Sequence, residues 1–190
     1  RRQIMRPLRV PLIVLTPKSL LRHPKVASRL DAFTEGTFQR VLPDEQSGVP
    51  GDSVDKRAES GIDRVLLCTG KVYFDLIKRR EELERDDLAI IRVEQLYPFP
   101  TDALRSVLAI YPDHTSVDWV QEEPLNMGAW AYLRRTFGDT LFGRMPLDVI
   151  ARPESASPAT GSSATHEHEQ KALVERALRA LLGVQEAVVN

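Results

Sequence analysis

The sequence predicts a layered α/β fold with a largely parallel sheet, and three observations point to it. Short apolar runs alternate along the chain with amphipathic helical stretches. Several of those runs are continuous in leucine and β-branched residues, the pattern of strands covered by helices on both faces. Two of them end in polar clusters: Arg92, Glu94 and Gln95 after the first, Gln121, Glu122 and Glu123 after the second. The carboxyl ends of strands in open α/β sheets are where ligand and partner surfaces form.

Five runs read as strands: Pro11–Thr16, Arg64–Thr69, Leu88–Glu94, Val117–Gln121 and Leu147–Ala151. Helical patterns lie between and after them. Gly70–Arg85 ends in KRREELER, whose opposite charges recur at i to i+4. Thr101–Tyr111 opens on the cap candidates Thr101 and Asp102 and stops before Pro112. Asn126–Phe137 follows the acidic cluster. The last helix, residues 165–182, carries one apolar stripe of Leu173, Val174, Ala177, Leu178, Leu181 and Leu182, with Gly183 suited to its C-terminal cap. Residues 43–61 form a polar insertion punctuated by Pro and Gly, and 152–165 a Ser/Pro/Gly-rich loop. Residues 1–190 read as a single domain, and no repeat is visible.

Composition narrows the class. Hydrophobic content of 42% and charged content of 28% are those of a soluble globular chain. A single cysteine, Cys68, excludes a disulfide framework and fits a reducing compartment. No apolar run approaches the roughly 20 residues that span a bilayer, so no membrane partner is expected. The first residues, Arg1-Arg2-Gln3, read as the continuation of a longer polypeptide. Net charge is −1, yet residues 1–30 hold eight Lys or Arg, and no acid precedes Asp31. The other 160 residues carry 18 basic and 27 acidic side chains, a balance of −9. Such asymmetry suits an anion-facing surface or a face that docks on an acidic partner. Nucleic acid is a poor fit, because residues 1–30 contain no aromatic residue for stacking.

Catalytic signatures are mostly missing. Gly70-Lys71 follows a strand, but the upstream glycines of a P-loop are absent and Val72 stands in place of Ser or Thr. Neither G-x-G-x-x-G after a strand nor G-x-S-x-G occurs. His166 and His168, two apart at a helix start, fall on different sides and read as a solvated first turn. Cys68 reads as a small buried hydrophobe. Glu122 and Glu123 are acid/base candidates, yet neighbours in an extended segment point oppositely. Their more natural roles are capping the helix near Asn126 and pairing with a basic group across an interface.

Five separated blocks together carry a resemblance: TPKSLLRHP (Thr16–Pro24), CTGKVYFDL (Cys68–Leu76), RVEQLYPFP (Arg92–Pro100), WVQEEPLNMGAW (Trp119–Trp130) and RPESASPATGS (Arg152–Ser162). In this order they resemble the C-terminal end of the thiamine diphosphate-dependent first component of 2-oxoglutarate dehydrogenases. The resemblance implies a domain like the transketolase C-terminal domain: a three-layer α/β/α sandwich with a mixed, mostly parallel sheet of about five strands. It implies thiamine diphosphate and magnesium in the intact enzyme, bound by upstream domains. The Gly-Asp-Gly start of the diphosphate motif is absent, since Gly51-Asp52-Ser53 and Gly138-Asp139-Thr140 do not match it. No catalytic, cofactor or metal residue therefore carries over, and this segment alone is expected to be inactive.

The implied work of the segment is to complete a homodimer, buttress the cofactor domains and serve a complex with a dihydrolipoyl succinyltransferase. Arg2, Arg6, Arg9, Lys18 and Arg22 are the candidates for an anionic effector such as AMP or acetyl-CoA, although some family members have a basic residue where Val10 stands. The interface candidates are Arg92, Glu94, Glu122, Glu123, Asn126, Trp130 and Arg152. Ser155, Ser157, Thr160 and Ser162 are donors for an anion or a partner backbone. The resemblance implies a cytoplasmic enzyme in a bacterium and a mitochondrial-matrix one in a eukaryote. Two alternatives stand beside it: a 2-oxoadipate or other 2-oxoacid enzyme of the same family, and a stand-alone nucleotide-responsive binding module.

Overall fold

Every residue of the run Arg64–Cys68 is buried, as a strand sandwiched between two helical layers must be. It is the second strand of a six-stranded sheet in a computed structural model that describes residues 2–44 and 61–179. The strands are β1 (Val41–Leu42), β2 (Arg64–Cys68), β3 (Leu88–Val93), β4 (Ser116–Pro124), β5 (Thr140–Leu141) and β6 (Met145–Arg152). Their spatial order is β1-β3-β2-β4-β6-β5. The four long strands run parallel, while the two-residue strands at the edges are antiparallel to their neighbours. The mixed, mostly parallel sheet is the expected one, with six strands in place of about five.

Four of the five expected strands are present. The fifth, Pro11–Thr16, is not a strand: Leu12, Ile13, Val14 and Leu15 are 65–94% exposed. An apolar run becomes a strand only when a neighbour satisfies its backbone groups. Residues 1–40 make up one compact unit and 41–190 another, and among its described residues the first contains no strand with which to pair. That unit consists of helix α1 (Arg2–Met5), two 3-10 turns at Lys18–Leu20 and Pro24–Val26, and helix α2 (Leu30–Thr34). Both short edge strands escape sequence reading, because two residues carry no periodicity.

Among the described residues of the second unit, four further helices form the outer layers: α3 (Val72–Glu82), α4 (Thr101–Leu108), α5 (Trp130–Phe137) and α6 (Ser163–Ala177). Strand alternation divides the core between two faces. Leu66, Cys68 and Ile90 pack with Leu76 of α3 and Leu173 and Ala177 of α6. Val65, Leu67, Ile91 and Trp119 pack with Leu104 of α4 and Leu133 of α5. Fully burying each such Leu or Ile contributes about 1.5–3 kcal/mol.

Helix ends differ from expectation in instructive ways. The N-cap of α4 is Pro100 without a side-chain cap, so neither Thr101 nor Asp102 fills that place; the Thr101 N–H donates to the Phe99 carbonyl at 2.9 Å. Helix α6 begins earlier than expected, at Ser163, where the Ser162 hydroxyl accepts from the Thr165 N–H at 3.4 Å. It ends at Ala177 with Leu178 as C-cap. Leu181, Leu182 and the proposed cap Gly183 lie outside the described residues, as does most of the insertion, 45–60. Among the described residues no helix is long and apolar enough to cross a membrane.

Candidate functional site

Because β2, β3, β4 and β6 are parallel, their carboxyl ends share one edge. Arg92 and Glu94 stand at the end of β3, Gln121, Glu122 and Glu123 at the end of β4, and Arg152 at the end of β6. All seven interface candidates lie on or beside this edge. The Arg92 guanidinium sits 4.2 Å from the centre of the Tyr73 ring and 3.6 Å from the Glu94 carboxylate. Tyr73 reaches it from the first turn of α3, so the ring and the acid hold the cation from two sides.

Gln121 organises the turn after β4. Its amide nitrogen donates to the carbonyls of Pro124 (3.1 Å) and Met127 (2.7 Å). Its Oε1 accepts from the Trp119 indole (2.9 Å) and from the Trp130 backbone N–H (3.1 Å). The last contact corrects an expectation: no acid caps α5, whose N-cap is Ala129 without a side-chain bond. Gln121 takes that place because it alone of the cluster is buried and aimed at the first turn. Gly128 in this turn has φ +71°, and a Cβ there would stand 2.9 Å from Gln121 Oε1. Asn126 extends the arrangement sideways, donating to the Ser155 carbonyl at 3.0 Å and accepting from the Ser155 N–H at 3.1 Å. Trp130 is half-buried against the core, and Trp119 is wholly inside it.

The hydroxyls of the 152–165 loop are engaged internally. Ser157 donates to the Ala159 carbonyl at 2.8 Å, Thr160 to the Ser162 carbonyl at 3.4 Å, and Ser162 caps α6.

A polar chain crosses from β6 to α3. Buried Arg152 donates to Gln170 Oε1 (2.8 Å) and lies 3.2 Å from His166 Nδ1, and Gln170 in turn donates to Asp75 at 2.8 Å. Glu169 lies 3.6 Å from Arg152. His166 is thus half-buried beside Arg152 rather than solvated, while His168 is exposed. The usable signal was the i to i+4 spacing of His166 and Gln170, which sets both on one face of α6. An open groove of about 650 Å³ runs between α3 and α6. Its lining includes four basic side chains (Lys71, Lys78, Arg79, Lys171) and four acidic ones (Asp75, Glu82, Glu167, Glu175), so it offers little net field to an anion.

Glu122 and Glu123 point to opposite faces, Glu123 outward and Glu122 half-buried. Burial raises the Glu122 carboxyl above its ordinary 4.5, Lys71 and Arg152 pull it back, and Asp75 and Glu123 push it up. With its proton held more tightly in the folded state, Glu122 favours folding below pH 4.5, and that benefit is lost as pH rises through the raised value. Glu122→Gln is therefore expected to melt higher than the parent at pH 7 and with it at pH 4. Equal melting at both values would refute the burial argument. Burial pushes the Cys68 thiol far above its ordinary value, as suits a packed core residue.

Arg6, Arg9, Lys18 and Arg22 are exposed and make no ion pair among the described residues; Arg2 lies in α1. Among the described residues no three His, Cys, Asp or Glu side chains are grouped to hold a metal. Asp139, beside Gly138, is paired with Arg134.

The family model described as "2-oxoglutarate dehydrogenase C-terminal" matches residues 27–178. A Cupriavidus necator protein named 2-oxoglutarate dehydrogenase E1 component is 42% identical over 183 residues, covering 96% of this chain. Like-named proteins of Haemophilus influenzae and Azotobacter vinelandii are 44% and 42% identical, over 94% and 93% of it. The chain spans 18% of the length of each of these three relatives.

Proposed function

The chain belongs to the 2-oxoglutarate dehydrogenase C-terminal family, and from that membership we propose that it is the C-terminal domain of an enzyme that oxidatively decarboxylates 2-oxoglutarate and passes the succinyl unit to lipoamide. What carries the reading is identity above 40% across more than nine-tenths of the chain to proteins bearing that name. Thiamine diphosphate would supply the carbanion-stabilising chemistry. The cofactor and its magnesium are assigned to the rest of the longer polypeptide.

The segment's own work is support. Its carboxyl edge, with Arg92, Glu94, Glu122, Glu123, Asn126 and Trp130, is proposed to face the cofactor domains or the second subunit of a homodimer, whereas Arg152 is buried within the chain. Inside the chain, Arg152 ties the last strand to α6 and so fixes how that edge is presented. The exposed cations Arg6, Arg9, Lys18 and Arg22, together with Arg2, are proposed to face an anionic effector or an acidic surface of the same enzyme. A dihydrolipoyl succinyltransferase is the expected partner in the complex.

The test is 2-oxoglutarate-dependent reduction of an artificial electron acceptor with thiamine diphosphate and magnesium, measured on the full-length protein and on this chain alone. Turnover by the full-length protein and none by the chain is expected. A full-length protein that turns over 2-oxoadipate and not 2-oxoglutarate would move the assignment to the neighbouring enzyme. Absence of turnover with either substrate would remove it.

A further inference from the structure

The run Pro11–Thr16 has the composition of a strand, yet among the described residues it pairs with nothing. Leu12, Ile13, Val14 and Leu15 are 65%, 82%, 68% and 94% exposed, and among the described residues their amides make no backbone–backbone hydrogen bond. Pro17, which follows the run, is itself extended, with φ −64° and ψ 128°. Alternate residues of an extended segment point to opposite faces, so Leu12 and Val14 share one face and Ile13 and Leu15 the other. Both faces are therefore apolar. That is the pattern of an inner strand covered by helices on each side, not of an edge strand with one wet face. Burying these side chains also buries the backbone between them, whose N–H and C=O groups then need strand partners.

The sheet of the second unit already has its edges occupied. On the outer side of β3, Arg92 and Val93 pair with β1, and the Ile90 N–H donates to Asp44 at 2.9 Å. On the outer side of β6, Met145 and Pro146 pair with β5, and the Val149 N–H donates to the Asp148 carboxylate at 2.8 Å. The Ala151 carbonyl accepts from Arg176, and the Arg152 carbonyl from the Leu125 N–H. A second copy of the run is no better a partner, because a two-stranded ribbon leaves both apolar faces bare and is marginal in water. The distribution of similarity points elsewhere. The C-terminal family model begins at residue 27, whereas the Cupriavidus necator protein is similar over 96% of the chain, too much to leave residues 11–16 out. The run is thus common to both proteins but precedes the family match, and the chain spans only 18% of that relative.

We propose that residues 11–16 are an inner strand of a helix-flanked sheet built by the preceding part of the same polypeptide. The inference rests on the chain being part of such a longer enzyme. The connection between the two parts is then a strand locked into the preceding core and not a free linker. The first test is hydrogen exchange on the full-length protein. The amides of residues 12–15 are expected to exchange about a thousandfold or more slower than in a free chain, as core strands do. Exchange near the free-chain rate overturns the proposal. The second test replaces leucine in the full-length protein with its diazirine analogue and maps the products of illumination by mass spectrometry. Cross-links from positions 12 and 15 to residues preceding position 1, in a product of single-chain mass, are expected. Cross-links from these positions to β3 or β6, or to a second copy in a product of double mass, overturn the proposal. Turnover of 2-oxoglutarate by a full-length protein whose residues 12–15 exchange freely would overturn this placement and leave the proposed activity standing.

Discussion

Asp44→Ala is expected to destabilise the α/β unit by about 3–5 kcal/mol, the usual cost of removing one partner from a buried ion pair. Asp44 and Arg80 are 2% and 1% exposed. Arg80 grips the carboxylate with both terminal nitrogens, at 2.5 and 3.0 Å, and also donates to the Leu88 carbonyl at 3.3 Å. Asp44 additionally accepts the Ile90 N–H at 2.9 Å. One carboxylate thus binds the segment after β1 to α3 and β3. Its removal strands a guanidinium where water cannot reach it, and the Coulomb attraction that offset both desolvation costs is gone. Thermal unfolding should fall by roughly 10 °C on the usual scaling for a unit of this size. The double variant Asp44→Leu with Arg80→Met should recover much of that loss, because apolar residues of similar size carry no such penalty. A single variant within about 1 kcal/mol of the parent would show that solvent reaches the pair.

Gln121→Leu is expected to cost about 3 kcal/mol and to loosen the turn at residues 125–129. The substitution keeps the side-chain volume and removes every hydrogen bond of the amide. The indole N–H of Trp119, at 0% exposure, then has no acceptor, and one such orphan costs about 1–3 kcal/mol by itself. The carbonyls of Pro124 and Met127 lose their donor as well. Urea unfolding of the protein reads the stability, and hydrogen exchange at the Trp130 amide reads the turn. Unaltered exchange at Trp130 would sink the assigned role. Gly128→Ala should act in the same direction for two reasons, the positive φ and the 2.9 Å approach to Gln121.

The polar cluster after β4 shows how far sequence reading reaches. That these side chains stand at a strand end was legible, and so was the opposite orientation of Glu122 and Glu123, because both follow from the two-residue period of a strand. Which of the three would hold the following helix was not legible. An acid is the better generic cap, and only the packing of Trp119 and the turn at Gly128 singles out Gln121. Arg152 shows the same limit. Its place at the head of a Ser-rich loop suggested an outward role, whereas Gln170 and His166, fourteen and more residues away, hold it inside.

Local pattern therefore determined the parts: four core strands, four packed helices, the α/β layering, the shared carboxyl edge and, through five blocks of residues, the family. These are periodic or contiguous signals, so each is complete within its own stretch of chain. Tertiary structure decided the rest. It left Pro11–Thr16 without a strand among the described residues of its own unit, added two-residue strands at both sheet edges, buried Arg80 on Asp44, and opened a cavity beside Glu123 at the ends of β2 and β4. Each of those outcomes depends on which distant groups come into contact, and a hydrogen bond, an ion pair or a crevice exists only once two separate stretches of chain have met.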